Sequence, residues 1–386
     1  MIEWNEDQNA LRKGLEQWYD ALSAGHIQQD RDGDFPWGKW KLIQECGILR
    51  LPFESRWGGL GQDLLTTMYV LEGLGYGCRD GGLNFSVSSH LVGVGIAVQR
   101  FGSADLKDRY LPRICDGSAI GAHAITEPEG GSDALSMRTT ARREGDHFVL
   151  NGTKTFVTNG PVADLFVVYT RTHPDGGPLG ITAFLVERDT PGFSIGRPIE
   201  KMGLKTSPLC ELVFHDCRVP ASNMVGRLGG GFLILDHIMK WEILCSFVIN
   251  IGEMQHRLER CIDYARTRIQ FGQAIGSFQA IANKIVDMQI GVKIARRWLY
   301  DTAERFSNHE NVMIDVAISK LLASESNIAS AMVAVQIFGG NGYMAEYGLE
   351  KDLRNAVAGT IYSGTSEIQR NRIASMLGLT KPSEIS

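Results

Sequence analysis

The sequence contains no CxxC, HxxxH or HExxH spacing, and its seven cysteines (Cys46, Cys78, Cys115, Cys210, Cys217, Cys245, Cys261) are an odd, scattered set. No disulfide framework and no resident metal site is expected from such spacing. A positive excess is missing too: 39 Lys+Arg against 44 Asp+Glu gives −5, so no basic field points to nucleic acid. Proline is scarce, at 12 of 386 residues, which together with 44% apolar composition excludes collagen-like and disordered chains. The longest charge-free run, Gly81 to Gln99, is interrupted by Asn84, Ser86, Ser88, Ser89 and His90, a poor membrane span. The opening MIEWNEDQNALRKG is mixed in charge and has no apolar leader core, so a cytoplasmic chain is expected.

What is present has three parts, in keeping with two or three domains for this length. Up to about residue 120, apolar residues recur every three to four positions over Asn9–Leu22, Trp37–Cys46, Leu64–Tyr76 and Leu106–Cys115, predicting helices. The period then changes. His147–Gly152, Leu165–Tyr169, Ile181–Val186 and Leu212–His215 are short, β-branched or aromatic, and bounded by Asn-Gly, Asp-Gly-Gly and Pro-Gly, predicting strands. Beyond Gly229-Gly230-Gly231 the helical period returns until about residue 378, and Thr380-Lys381-Pro382-Ser383-Glu384 is expected to fray. The order helices, β unit, helices argues against a doubly wound sheet.

Several motifs carry chemistry on one reading and plain structure on another. Gly33-Asp34-Phe35-Pro36-Trp37-Gly38-Lys39 has P-loop spacing, but Trp40 stands where a magnesium-binding hydroxyl belongs and no strand precedes it. A loop opening a helix at Trp37 is expected there. Thr126-Glu127-Pro128-Glu129-Gly130-Gly131-Ser132-Asp133 offers adjacent glycines, hydroxyls and amides, a lining for phosphates or else an ordinary turn. In Thr155-Phe156-Val157-Thr158-Asn159-Gly160, residues 156 and 158 share a strand face and could support a flat ring, or be core and surface respectively.

Glu242 is the most telling residue. Leu235, Ile238, Met239, Cys245, Ser246 and Ile249 form an apolar stripe at helical spacing, and the same period places Glu242 within it. A carboxylate buried there costs several kcal/mol unless it is paired or protonated. Either a cation such as Arg266 or Arg268 neutralises it, or it faces a cavity as a base. Ser86, Ser89 and His90 cluster at helical spacing and form either a ligand-pocket wall or satisfied core groups.

Taken in order, the motifs resemble the acyl-CoA dehydrogenase family. The series runs through Ile125–Asp133, Asn151–Gly160, Tyr264-Ala265-Arg266-Thr267-Arg268-Ile269-Gln270-Phe271-Gly272, Gln336–Tyr343 and Ile361–Arg370, nearly the whole chain. The resemblance implies an α+β multidomain fold: an N-terminal α-helical domain (1–120), a middle β-barrel-like domain (121–228) and a C-terminal four-helix bundle (229–386). It implies FAD as cofactor, with Thr126 and Thr158 at the flavin ring, Phe156 beside it and Ser132 at the pyrophosphate. Arg268, Phe271, Gln336 and Gly340 would reach the cofactor of a neighbouring subunit in a homotetramer built from dimers, and Thr365 and Glu367 would close the site.

One departure matters. Most members carry the catalytic carboxylate in Tyr-Glu-Gly-Thr, whereas this chain has Tyr362-Ser363-Gly364-Thr365. Some members instead place a glutamate on the helix about 26 residues before the arginine matching Arg268, and that position is Glu242. The wording around Trp241-Glu242, Tyr362–Glu367 and Gly81–Phe101 resembles the branch that oxidises prolyl groups on peptidyl carrier proteins for pyrrole-containing natural products, although Asn159-Gly160-Pro161 replaces an expected Asn-Ala-Pro. The resemblance therefore implies FAD-dependent α,β-dehydrogenation of an acyl or aminoacyl thioester with Glu242 as base and Ser363, Ser86, Ser89 and His90 near the substrate. The thioester would be tethered to a carrier protein or to CoA, and an electron-transfer flavoprotein or oxygen would be the acceptor. The alternatives are a short- or branched-chain acyl-CoA dehydrogenase, and a flavin oxidase or oxygenase on the same scaffold.

Overall fold

The computed structural model describes residues 3–379, so the segment Thr380–Glu384 lies outside the described residues. The first third is helical. Its opening differs from the expected single Asn9–Leu22 helix: the chain forms Glu6–Lys13, a 3-10 turn over Glu16–Trp18 and a short helix Tyr19–Ser23. Asn5 and Gln8 close a reciprocal capping box at the start. The break after Gly14 redirects the chain so that Leu15 and Leu22 both reach the core. The P-loop look-alike is a connection between the helices His26–Asp32 and Trp37–Glu45, with Gly33 left-handed as the cap of the first.

Gly81–Phe101 is a core helix whose most apolar window is 89% buried. Its middle, His90–Ile96, winds as a π-helix. The wider turn is relieved by glycines: a Cβ at Gly93 would lie 2.7 Å from the Cβ of His123, and one at Gly95 2.3 Å from the Phe53 ring.

The middle region is a mixed sheet, with strands β1 (Gly121–Ala124), β2 (Thr140–Glu144), β3 (His147–Thr158), β4 (Leu165–Arg171), β5 (Ile181–Glu187), β6 (Phe193–Ile195), β7 (Leu209–Pro220) and β8 (Met224–Val225). The order is β6-β7-β3-β2-β4-β5-β8, with β1 parallel to β4 in the register His123↔Val167. Strands β4 and β5 are buried on both faces, which explains their unbroken apolar runs. The period-2 signal missed β1, β2, β6 and β8. These are short, and β2 reads Thr-Ala-Arg-Arg-Glu with only Ala141 buried.

The last third is built on the 37-residue helix Gly231–Thr267, about 55 Å long at 1.5 Å per residue. It crosses the Leu64–Gly77 helix at backbone contact: a Cβ at Gly252 would fall 2.1 Å from the main-chain oxygen of Glu72, and one at Gly75 2.0 Å from that of Ile249. Gln279–Ser307, Met313–Phe338, Leu349–Ala358 and Ser366–Met376 complete the bundle.

Candidate active site

Glu242 sits one third of the way along the long helix, among the buried Leu235, Ile238, Cys245, Ser246 and Ile249. Its side chain is 18% exposed. No lysine or arginine of the described residues comes within ion-pair distance of it; the Arg266 or Arg268 pairing does not form, because those residues lie about 36 to 39 Å farther along the same helix. Ser363 Oγ instead donates to Glu242 Oε1 at 2.5 Å. The second oxygen, Oε2, stands 3.8 Å from His123 Nδ1.

Ser363 reaches the carboxylate because its loop is locally left-handed, with φ of 54° at Ser363 and 85° at Gly364. Gln369 fastens the loop by donating from Nε2 to the main-chain oxygen of Ser363 at 2.9 Å. Among the described residues, the main-chain N–H of Ser363 has no internal partner, so it is available to an incoming oxygen. The neighbouring Tyr362 ring packs between Phe85 and Phe247, with centroids 4.6 and 5.1 Å away. Burial, and then the charges of Glu253 and Glu242, push its phenol well above the ordinary range.

His123, on β1, was not singled out from sequence. Its Nε2 lies 3.1 Å from Tyr169 Oη on β4, and its side chain is 6% exposed. The Tyr169 phenol is pushed up by burial and then by the charge of Glu242. The available signal was slight: a histidine three residues before Thr126, in a strand too short to read as one. Only the β1–β4 pairing brings it to the carboxylate.

The residues expected at the flavin fall into three places. Thr126, Ser132, Phe156 and Thr158 lie on the β region, where Phe156 departs from simple strand alternation. The β3–β7 register shifts between Lys154 and Val157, and Phe156 takes φ 54° and projects with 60% exposure. Ser132 is exposed beside Gly131, and Thr126 is half-buried. Lys154 and the main-chain N–H of Thr139 hold the loop from below through the buried Glu127, at 2.8 and 2.9 Å. Burial pushes the Glu127 carboxyl up, but Lys154 and these hydrogen bonds outweigh it and leave it low. Thr365 caps the Ser366–Met376 helix and Glu367 stands exposed on its first turn.

The third place holds Arg268, Phe271, Gln336 and Gly340, all exposed, with Phe271 at 93% and φ 51°. Arg268 is 26 residues from Glu242 on one helix, roughly 39 Å, beyond the reach of one dinucleotide seated at Glu242. The donor set of the first two places (hydroxyls of Thr126, Ser132, Thr158 and Thr365, an outward-facing aromatic face, glycines 130 and 131) fits the ring edge and phosphates of FAD.

The expected wall of Ser86, Ser89 and His90 is corrected. His90 is fully buried; its Nε2 lies 2.9 Å from the Ile114 oxygen and its Nδ1 accepts from Gly121 N at 3.0 Å. Burial lowers its pKa to about 4, so it is a neutral core imidazole with both nitrogens engaged. Ser86 Oγ is spent on Ser207 Oγ at 2.8 Å, and Ser89, half-buried, joins neither. The Asn-Gly-Pro wording also has a local cause: a Cβ at Gly160 would lie 2.5 Å from Cys210 Sγ.

Three family models match in succession: the acyl-CoA dehydrogenase N-terminal domain over residues 5–118, its middle domain over 122–217 and its C-terminal domain over 229–378. The chain belongs to the acyl-CoA dehydrogenase family. Within this family it is 41% identical over 340 residues to an L-prolyl-(peptidyl-carrier protein) dehydrogenase of a Serratia species, covering 88% of each chain. Among solved structures it superposes with a TM-score of 0.95 on the prolyl acyl carrier protein oxidase AnaB, at 41% identity over 98% of this chain and 100% of that one. It does so equally, TM-score 0.95, on PigA with FAD and proline, at 37% identity over 98% and 99%. Acyl-CoA dehydrogenase architecture thus accounts for the helix–β–helix order, and in this family member the candidate catalytic carboxylate comes from the long helix while Ser363 occupies the C-terminal loop beside it.

Proposed function

We propose that the chain is an FAD-dependent dehydrogenase of an aminoacyl thioester, with L-proline on a peptidyl carrier protein as its substrate and Glu242 as the base. The carrying observation is the surroundings of Glu242: a carboxylate on a buried stripe with no lysine or arginine of the described residues beside it, held through one oxygen by Ser363 and open at the other. Ser363 fixes the direction of Oε1 and leaves Oε2 to take the α-proton. The unpaired N–H of Ser363 is placed to steady the thioester oxygen as negative charge develops on it. FAD, when bound by Thr126, Ser132, Phe156, Thr158, Thr365 and Glu367, supplies the two-electron acceptor for the β-hydride. A second such oxidation would carry the pyrroline on to a pyrrole.

The placement of Arg268 and Phe271 favours a homotetramer in which each long-helix end serves a neighbour's cofactor. A cytoplasmic enzyme that engages neither nucleic acid nor membrane is part of this reading, in keeping with a net charge of −5. An electron-transfer flavoprotein or oxygen reoxidises it, the latter favoured by the likeness to a protein described as an oxidase. The family itself favours one second reading, a short- or branched-chain acyl-CoA dehydrogenase with a relocated base.

The test is anaerobic mixing with L-prolyl carrier protein beside a panel of short acyl-CoAs. Flavin bleaching by the carrier-bound proline alone is the expected result. Bleaching by an acyl-CoA alone selects the second reading, and bleaching by neither removes both.

A further inference from the structure

Tyr169 is fully buried in the hydrophobic core, and the polar pair it makes with His123 has no role in the reaction outlined above. Both side chains are buried, on neighbouring parallel strands, and they bond to each other at 3.1 Å. Gly93, at the centre of the π-helical turn, leaves the space that His123 fills. The Nδ1 edge of His123 then faces Glu242 Oε2 across 3.8 Å. That gap is too long for a direct hydrogen bond, which needs about 3 Å, but it suits two acceptors that share one donor between them.

We propose that His123, braced by Tyr169, recognises the ring nitrogen of the aminoacyl substrate and so separates α-amino from carbon-only acyl groups. This rests on the aminoacyl reading given above. In the tautomer this recognition requires, Nε2–H of His123 donates to Tyr169 Oη and Nδ1 keeps a lone pair directed toward the space beside Oε2. In a prolyl thioester the nitrogen is bonded to the α-carbon. When Glu242 meets the α-proton, the N–H is therefore one bond away from the atom being deprotonated, and His123 Nδ1 is the imidazole acceptor beside it. A carbon-only acyl group leaves that acceptor buried and unpaired. A site built to bond an N–H discriminates against the analogue that lacks it far more strongly than an apolar pocket does.

The experiment compares two pantetheine thioesters of nearly equal shape, L-prolyl and cyclopentanecarbonyl, in which a CH2 replaces the ring NH. The wild-type ratio of anaerobic flavin reduction rates is set against that of His123→Phe. The substitution should reduce the preference for the prolyl thioester by about tenfold or more. Tyr169→Phe should reduce it less, and His123→Asn, whose amide keeps a polar atom near the Nδ1 position, should restore part of it. The same pair is titrated calorimetrically into Glu242→Gln and into Glu242→Gln combined with His123→Phe, so that an affinity ratio is read even without turnover. A ratio that His123→Phe leaves unchanged overturns the assignment. An equal loss for both thioesters also overturns it, and makes His123 a support for Glu242 alone. Absent turnover with an intact affinity ratio counts against the proposed reaction and not against His123.

Discussion

Two carboxylates, Glu242 on the Gly231–Thr267 helix and Asp352 against it, are surrounded in opposite ways. Asp352 is ringed by cations: Arg79 Nη2 at 2.7 Å, Lys351 Nζ at 3.3 Å and Arg257 Nε at 3.8 Å. Burial alone would push its carboxyl up, yet Arg79, Lys351 and Arg257 hold it well below the usual range. Glu242 meets a hydroxyl and an imidazole edge and, among the described residues, no lysine or arginine. The first group cannot take a proton without stranding several buried positive charges, so its place is structural. The second can gain and lose a proton with little rearrangement of its neighbours, which is what a base requires. Burial by itself does not separate a structural carboxylate from a reactive one; the sign of what touches it does.

Substitutions sharpen this contrast. Glu242→Gln should keep the fold and the bound flavin and lose turnover by about 10²–10⁴-fold, read as anaerobic flavin reduction; full activity would remove the base assignment. Asp352→Asn should do the reverse. We expect a loss of stability of about 3–5 kcal/mol in denaturant unfolding, with the rate per folded molecule retained, and a catalytic defect without instability would break the comparison.

A third prediction concerns a core group outside both sites. The pKa of His90 is lowered by burial to about 4, below the ordinary 6.5, so the unfolded chain takes up a proton at mildly acid pH that the folded chain refuses. Stability attributable to His90 is present above pH 6.5 and is lost as pH falls toward 4, about 2 kcal/mol of it between pH 7 and pH 5. His90→Gln should flatten that part of the unfolding curve, and an unchanged slope would show that other groups carry it. The smallest effect is expected from Ser363→Ala, which removes one hydrogen bond to the carboxylate and should slow turnover about tenfold with little change in stability.

Much of this was legible in the residues, for reasons that differ by element. The interruption of an apolar stripe by Glu242 is a periodic signal, and helices of this length display it clearly. The β4 and β5 strands announce themselves because both faces are buried. By contrast, β1 has four residues, too few for alternation to register, and the partner of His123 is 46 residues away on another strand. His90 misled because a buried imidazole satisfied by main-chain groups has the same sequence signature as a ligand; what distinguishes them is the direction of Ile114 O and Gly121 N. The bulge at Phe156 was hidden for a related reason, since a left-handed aromatic residue inside a strand leaves no compositional trace.

The π-helical turn at His90–Ile96 has a consequence for the length of the chain. A π turn is an α-helix carrying one extra residue, so removing a single residue there would let the turn close in ordinary α form. Side chains beyond the turn would keep their facing, since the wide turn is what absorbs the extra residue, but those within it would be reassigned. Gly93 would no longer lie beneath His123, and a residue with a side chain would press on that imidazole instead. Most surface loops absorb insertions and deletions silently. Here, inside a continuous helix, the number of residues is itself a specification, and one codon gained or lost would be felt at the catalytic carboxylate without any active-site residue being changed.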